Sequence, residues 1–212
     1  MKTSTKQKTL MMVQIALLAA IVVVLQLFFS AVKVGPVTLN FVLVPIVVAA
    51  VLIGPKAGFA VGAFAGLTTF FQVFTSGDPF YMFLMSTNPV ATACICIFKT
   101  ALAGLFVGLL AKAFKRFCTK DGKFSHGKLY LFSYSYAALC PIVNTGLFCL
   151  GMILFFAKDM LTDPIFAGSV GNGVIYFIIF GLAGLNFIIE LILNLLVCPV
   201  LIVVLKKTKY FN

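Results

Sequence analysis

Charged side chains are scarce in this sequence of 212 residues: they make up 10% of it, while 62% of the residues are hydrophobic. An ordinary soluble domain is about 25% charged, so this chain has too few polar side chains to cover a surface that faces water. An apolar run of about 20 residues is long enough to cross the hydrocarbon core of a bilayer. We therefore expect a single integral membrane domain over residues 1–212.

Acidic residues are the rarer charges, with five Asp and Glu against 16 Lys and Arg and a net charge of +11. In a soluble protein such an excess would raise the question of nucleic acid. Here the basic residues form short clusters between apolar runs, which is typical of the cytoplasmic loops of membrane proteins. The charge pattern therefore predicts that the chain contacts the lipid bilayer and argues against nucleic-acid binding.

The side chains and motifs of enzymes and metal sites are also few. The chain has one histidine, His126, and six cysteines without a Cys-x-x-Cys spacing, so the pattern predicts neither a metal site nor a disulfide framework. The Gly-x-Ser-x-Gly motif and the phosphate-binding loop do not occur in the sequence. We therefore expect a protein that is not an enzyme, holds no cofactor, and needs another subunit to supply ATP if it transports uphill.

Six apolar runs predict an all-α membrane protein with six transmembrane helices. Their predicted bounds are 10–31, 39–53, 57–74, 88–111, 129–157 and 173–205. Pro45 predicts that the second helix is kinked or short, and small residues in the third predict close packing against a neighbouring helix. The segment 75–87 is expected to form an external loop or half-helix, and Asn88 and Pro89 are expected to cap and begin the fourth crossing.

Six crossings place both termini on the same side of the membrane, and the basic residues predict that this side is cytoplasmic. Lys33 and Lys158 are the only basic residues predicted on the external side of the membrane, and Lys99 lies within a crossing. The other basic residues all fall inside: Lys2, Lys6, Lys8, Lys56, Lys112, Lys115, Arg116, Lys120, Lys123, Lys128, Lys206, Lys207 and Lys209. The same orientation puts Asp78, Asp159 and Asp163 outside.

Two ionisable residues lie deep within predicted crossings, where a charge is costly and functional roles are common. Lys99 is expected at a depth of roughly 15 Å, and Glu190 roughly 25 Å along the last crossing. One interpretation is that the two neutralise each other, or that Glu190 reaches the inner interface. The other is that Lys99 binds the carboxylate of a substrate.

Amides accompany these charges. Asn144 follows Pro141, which removes a backbone hydrogen bond from the fifth crossing. Asn186, Glu190 and Asn194 are spaced at i, i+4 and i+8, so they share one face of the last helix. Such side chains either contact a ligand or join helices by hydrogen bonds. For Asn194, which lies deepest toward the inside, the second role or a contact on the cytoplasmic side is favoured.

Polar and aromatic residues at the outer ends of the crossings predict the rim of an outward-facing pocket. The polar ones are the loop 33–40, which ends at Asn40, with Gln72, Asn88 and Asn172. The aromatic ones are Phe80, Tyr81, Phe83 and Tyr176, which could enclose a ring-bearing ligand. Helix capping and solvation at the interface are the alternative roles for the polar group.

Two short runs carry a family resemblance: residues 35–46, GPVTLNFVLVPI, and residues 54–58, GPKAG. With the six crossings and the chain length, they resemble the substrate-binding S components of energy-coupling factor (ECF) vitamin transporters, above all the riboflavin and pantothenate branch, with folate components as further relatives. Ala16 and Ala20 match the Ala-x-x-x-Ala motif by which the first helix of such proteins docks onto the transmembrane coupling subunit.

The resemblance implies a six-helix bundle that captures a vitamin from outside. The first external loop would act as a gate, the last three helices would supply most ligand contacts, and the protein would topple in the membrane to release its substrate. The implied partners are a transmembrane coupling (T) subunit and two ABC-type ATPases in a prokaryotic plasma membrane. Asn144 and Asn186 match the pocket amides of the family, and the predicted substrate-binding set is completed by Asn40, Asn88, Lys99 and Glu190.

A buried cation and several amides suit pantothenate, which has a carboxylate, hydroxyls and an amide. We rank pantothenate ahead of riboflavin, which would favour an aromatic enclosure. The alternatives are an S component for another vitamin such as folate, or a channel or structural membrane subunit without a ligand. The last alternative predicts that Lys99 pairs only with Glu190.

Overall fold

The protein is predominantly helical in a computed structural model that describes residues 5–29, 33–34, 37–38, 40–118, 126–166, 168–171 and 173–207. Asn172 and the centre of the predicted basic loop, 119–125, lie outside the described residues. In chain order the elements are α1 (Thr5–Phe29), β1 (Lys33–Val34), β2 (Val37–Thr38), α2 (Leu43–Leu52), α3 (Pro55–Thr75), α4 (Pro79–Thr87), α5 (Pro89–Cys118), α6 (His126–Phe155), α7 (Ala157–Thr162), α8 (Val174–Tyr176), a π-helix (Phe177–Gly184) and α9 (Leu185–Lys207).

Within these described residues, five helical segments are long and apolar enough to cross a bilayer. They are Gln7–Phe28, Pro55–Thr75, Pro89–Lys115, Phe132–Phe155 and Val174–Leu205. Five of the six predicted crossings are thus found as long apolar helices. The second, predicted over residues 39–53, is too short to cross a bilayer. α2 has ten residues, which at 1.5 Å per residue is about half the thickness of the hydrocarbon core.

Pro45 explains where α2 begins. It lies in the first turn of the helix, where the backbone N–H has no partner in any case, so the proline begins the helix without kinking it. The residues from Pro45 to Ala50 are all buried, so α2 is enclosed by protein rather than lipid. Before it, β1 and β2 form a small antiparallel hairpin in which Lys33 pairs with Thr38, an element that the sequence did not predict.

Glycines hold α3 against α5, as the small residues of the third crossing predicted. Gly62 faces the backbone of Thr100, and Gly58 faces the backbone of Gly104, so closely that a Cβ atom at either glycine would overlap the neighbouring chain. Gly108 of α5 is in the same close contact with Pro55. The order of these pairs shows that α3 and α5 run antiparallel, with the start of α3 beside the end of α5.

Side-chain hydrogen bonds cap the first turns of α4 and α5. The Asp78 carboxylate accepts a hydrogen bond from the Phe80 backbone N–H at 2.9 Å, and Asn88 Oδ1 accepts one from the Ala91 N–H at 3.0 Å. Both helices also have proline in the first turn. The prediction of a half-helix followed by an Asn-capped crossing is confirmed.

The core described here consists of two separate hydrophobic clusters. One contains α2 with parts of α1 and the ends of α5 and α9, and the other contains α4 with the start of α5 and the end of α6. Along three of the crossings, a buried polar residue lies between a member of one cluster and a member of the other: Lys99 between Cys96 and Ala103, Asn144 between Cys140 and Phe148, and Asn186 between Ala183 and Cys198. A polar layer therefore lies between two apolar ones.

The two ends of the bundle differ in charge. Lys56 in the first turn of α3 lies near Lys112 of α5, beside Met11 of α1. At the opposite end, Phe166 packs against Phe80 and Phe83, which brings the segment after Asp159 and Asp163 close to Asp78 and α4. Under the positive-inside rule, this separation predicts that the basic end faces the cytoplasm.

Candidate functional site

A cavity penetrates the polar layer and brings together side chains from α1, α3, α4, α5, α6, the π-helix and α9. It offers about 60 Å³ to the centres of water molecules, which is space for a few waters. Its polar lining consists of Gln26, Asn40, Thr69, Thr92, Lys99, Asn144, Thr145, Asn186 and Glu190. Five of the six predicted substrate-binding residues are therefore gathered in one place by four different segments of the chain.

Lys99 is the cation of this cavity and is 9% exposed. Its Nζ lies 5.0 Å from the centre of the Phe148 ring, a cation–π contact. Among the described residues, no carboxylate lies within the 4.0 Å of an ion pair with Lys99. A buried ammonium normally has an anionic or hydrogen-bonding partner, so Lys99 has the surroundings of a residue that binds an anion from outside the chain.

Glu190 also lines the cavity, and its side chain has a hydrogen-bond partner within the chain. Its Oε1 accepts a hydrogen bond of 3.0 Å from the backbone N–H of Asn40, which lies two residues beyond β2. Glu190 and Lys99 act on each other electrostatically without forming a direct pair. The carboxylate therefore ties the hairpin segment to α9 and leaves the ammonium to another partner.

Two buried asparagines complete the centre of the cavity. Asn144 is 3% exposed and Asn186 is 5% exposed. Among the described residues, Asn144 Oδ1 has no hydrogen-bond donor within reach. An unsatisfied buried amide costs stability, so this oxygen is suited to a ligand hydroxyl or N–H group, or to a water molecule.

The π-helix explains why the last crossing can contribute to this wall. It spans eight residues immediately before α9 and places Leu182 and Ala183 in the lining. π-helical turns are wider than α-helical turns and are common at functional sites. Asn186 lies two residues beyond its end, so the register of the widened turns sets which face of α9 meets the cavity.

The outer wall of the cavity is aromatic. Phe80 and Tyr81 line it and lie 5.7 Å apart between ring centres, and Phe156 lines it from the end of α6. Phe83 instead packs against Phe166 at 4.9 Å, and exposed Tyr176 contacts Phe180 at 4.8 Å on the lipid-facing side. Of the four predicted rim aromatics, two reach the cavity.

Asn88 and Asn194 have other roles. Asn88 caps α5 and does not line the cavity, because a side chain at the N-cap turns back toward its own helix. Asn194 donates to the Glu190 carbonyl at 2.8 Å and accepts from the Cys198 thiol at 3.3 Å. Its hydrogen bonds thus stay within α9, whereas the sequence favoured a bond between helices or a contact on the cytoplasmic side.

Several lining residues were not found from the sequence. Phe148 and Met152 follow Asn144 at i+4 and i+8, and Thr92 precedes Lys99 by two turns, so helical spacing from the predicted residues was an available signal. Gln26 was missed because it lies on α1, where no other pocket residue had been proposed. Its Nε2 donates to Thr69 Oγ1 at 3.2 Å and to Gln72 Oε1 at 2.6 Å, which joins α1 to α3.

Ala16 and Ala20 lie on α1 and do not line the cavity. Both are exposed, as are the neighbouring Leu17 and Ile21. Since α1 buries little of its surface against the rest of the bundle, this apolar face is open to lipid or to a partner helix.

The site is built for binding. Within the described part of the chain, no group of three His, Cys, Asp or Glu residues is close enough together to hold a metal ion. The cavity has one cation, one carboxylate engaged with the backbone, amides and aromatic rings. This is the composition of a site that orients a small polar molecule by hydrogen bonds and charge.

Comparison with known proteins agrees with this architecture. The sequence model of the family described as "ECF transporter, substrate-specific component" matches residues 10–202, nearly the whole chain. No curated protein matches the chain.

Proposed function

The chain belongs to the family of substrate-specific components of ECF transporters, and we propose that it captures a vitamin. We rank pantothenate, whose carboxylate Lys99 would bind, ahead of riboflavin, which has no carboxylate. As a member it is a multi-pass membrane protein and a transporter subunit without catalytic activity. The substrate and the residues that bind it are the subject of the proposal.

The observation that carries the proposal is the position of Lys99. Its ammonium is buried in the cavity, contacts the Phe148 ring, and has no carboxylate at ion-pair distance in the described structure. The carboxylate of a bound ligand would supply the missing counter-charge, and charge-assisted hydrogen bonds of this kind are among the stronger ones in proteins. The pair of Lys99 with Glu190 that a subunit without a ligand predicts finds no support in this geometry.

The rest of the lining supports a ligand rich in hydrogen-bonding groups. Asn144 Oδ1 is available as an acceptor, and a hydroxyl or amide N–H of pantothenate would satisfy it. Asn186 and Thr145 lie in the same lining and add further polar groups around the ligand.

The size and ring contacts of the cavity favour the smaller vitamin. With about 60 Å³ open to water centres, the cavity must widen for any vitamin, and a flexible chain-like acid requires less widening than a three-ring flavin. Phe80 contacts the ring of Tyr81, and Phe156 contacts the ring of Phe83. A flavin would have to displace these rings to enter between them. Opening at the hairpin, where Asn40 is held by Glu190, is the motion that the family resemblance implies.

The coupling subunit and two ATPases are proposed as partners on two grounds. Family membership implies an ECF module, and Ala16 and Ala20 lie exposed on the little-buried helix α1. Small exposed residues four apart permit close approach of a second helix in the membrane.

The test is thermal unfolding of the detergent-purified chain with a panel of pantothenate, riboflavin and folate. A ligand at 100 times its dissociation constant adds about 2.7 kcal/mol to the free energy of unfolding, and we expect this stabilisation with pantothenate. If riboflavin or folate alone stabilises the protein, that vitamin takes the place of pantothenate as the substrate, and the proposed function of vitamin capture stands. If a folded preparation responds to none of them, and radiolabelled pantothenate shows no saturable binding, the proposed substrate class is wrong.

A further inference from the structure

A second concavity lies at the basic end of the bundle and shares no lining residue with the cavity around Lys99. It is formed where the turn between α2 and α3 meets the end of α5 and the start of α1, and it offers about 390 Å³ to the centres of water molecules. Pro55 packs directly on Gly108 at its base. The backbone of Gly54, with φ +135°, turns the chain into α3 beside it. We call this concavity the basic groove.

Three cations line the basic groove: Lys56, Lys112 and Lys115. All three side chains are exposed, and they come from two helices that the glycine contacts hold together. Among the described residues, the lining includes no acidic side chain. The first-turn N–H groups of α3 at Lys56 and Ala57 add partial positive charge to the same place.

The remaining lining is apolar. Met11, Val51 and Leu52 form part of the wall, and Met11 is 41% exposed at the side of the bundle. A groove with cations on its rim and aliphatic side chains on its wall complements an amphipathic anion better than a small soluble one. The positive-inside rule places this end at the cytoplasmic leaflet, where anionic lipids are present.

We propose that the basic groove binds the phosphate group of an anionic phospholipid, with its acyl chains along the apolar wall beside Met11. The cations at Lys56, Lys112 and Lys115 would surround the phosphate, as in other basic pockets between transmembrane helices on the cytoplasmic side. The lipid would bridge the start of α3 and the end of α5.

The test is native mass spectrometry of the detergent-purified chain titrated with dioleoyl phosphatidylglycerol or dioleoyl phosphatidylcholine. We expect the first phosphatidylglycerol to bind roughly tenfold more tightly than phosphatidylcholine. The variant K56Q/K112Q/K115Q should reduce this preference to about twofold or less. The matched control K206Q/K207Q/K209Q removes the same charge from the C-terminal segment and should retain the preference.

Three results would overturn the proposal. Equal losses in both triple variants would show diffuse attraction of lipid to a basic surface. Displacement of phosphatidylglycerol by an equal concentration of inorganic phosphate would show a site for a free anion. Unchanged lipid preference in K56Q/K112Q/K115Q, with loss of co-purification of the coupling subunit, would assign the groove to a protein partner.

Discussion

At the scale of single residues, the two intramembrane charges have separate tasks. Glu190 has a backbone hydrogen-bond donor from Asn40, whereas Lys99 has an aromatic ring and no ion-pair partner among the described residues. Burial of a charge without such a partner lowers stability. Lys99 is thus costly to the unliganded protein, which is the behaviour expected of a residue kept for ligand binding.

We predict that Lys99→Met keeps the fold and loses the ligand. Methionine is similar in length and apolar, so it removes the cost of the buried charge, and the free energy of unfolding should stay equal or rise. Loss of a charge-assisted contact worth about 1.5–3 kcal/mol should raise the Kd for pantothenate roughly 10- to 100-fold. Isothermal titration calorimetry and thermal unfolding measure the two effects.

The matched control for this change is Lys158→Met, which alters an exposed lysine at α7 that does not line the cavity. It should bind pantothenate as the parent chain does. Equal affinity in both variants would remove Lys99 from the proposed site.

Glu190 allows a second test at this scale. Glu190→Gln keeps an oxygen that can accept the Asn40 N–H, whereas Glu190→Ala removes the bond that ties the hairpin segment to α9. We expect faster ligand release from the alanine variant, by roughly tenfold, and release within about threefold of the parent for the glutamine variant. Stopped-flow displacement of bound ligand measures both rates, and equally fast release from both variants would show that the charge, not the tie, matters.

At the scale of elements, glycine contacts between α3 and α5 position the site. Gly62 faces Thr100, the residue next to Lys99, so the closeness of the two helices sets how far Lys99 projects into the cavity. Side chains larger than hydrogen at Gly58, Gly62 or Gly66 would push the helices apart.

We predict that Gly62→Ala lowers the free energy of unfolding by about 1–3 kcal/mol, the range typical of overpacking. The control is Gly146→Ala, also within a helix, where an added Cβ would meet no atom within 4 Å. That substitution should be neutral or raise stability, because alanine favours helix over glycine by about 1 kcal/mol. Thermal unfolding in detergent compares them, and equal losses would refute the close-packing argument.

Across the entire bundle, two apolar clusters enclose the polar layer. The charges at the two ends predict how the bundle is oriented in the membrane. The start of α1 and the end of α9 both belong to the basic end, where Met11 lines the basic groove and Ile202 joins the α2 cluster. The cavity lies toward the opposite, acidic end, since α4 and Phe156 form one wall. A substrate would therefore enter from the side that the charge pattern places outside.

We predict that docking and binding are separable in the complete transporter. Ala16→Leu with Ala20→Leu enlarges two exposed positions on α1, so the chain should fold and bind its vitamin normally while uptake by cells that express all subunits falls at least about tenfold. Ala60→Leu, at an exposed alanine on α3, should leave uptake unchanged. If the α1 double variant transports normally, Ala16 and Ala20 are not the docking surface.

Much of the candidate site could be predicted from the sequence because buried polar residues are conspicuous among apolar ones. Lys99, Asn144, Asn186 and Glu190 stood out in this way, and all four line the cavity. Asn88 shared the same chemistry but caps a helix, and Gln26 lay on a helix with no other candidate. Composition cannot distinguish these cases, because the direction of a side chain depends on which helices adjoin it.

Hydropathy and charge are local properties of the chain, so they were enough to predict a membrane protein, its basic end and the positions of its long crossings. Long-range packing in the folded bundle was needed to show that the short α2 is enclosed by protein, that a π-helix precedes Asn186, and that Glu190 binds Asn40 rather than Lys99. These features depend on distances between segments far apart in the chain. Packing sets those distances, and no local pattern records them.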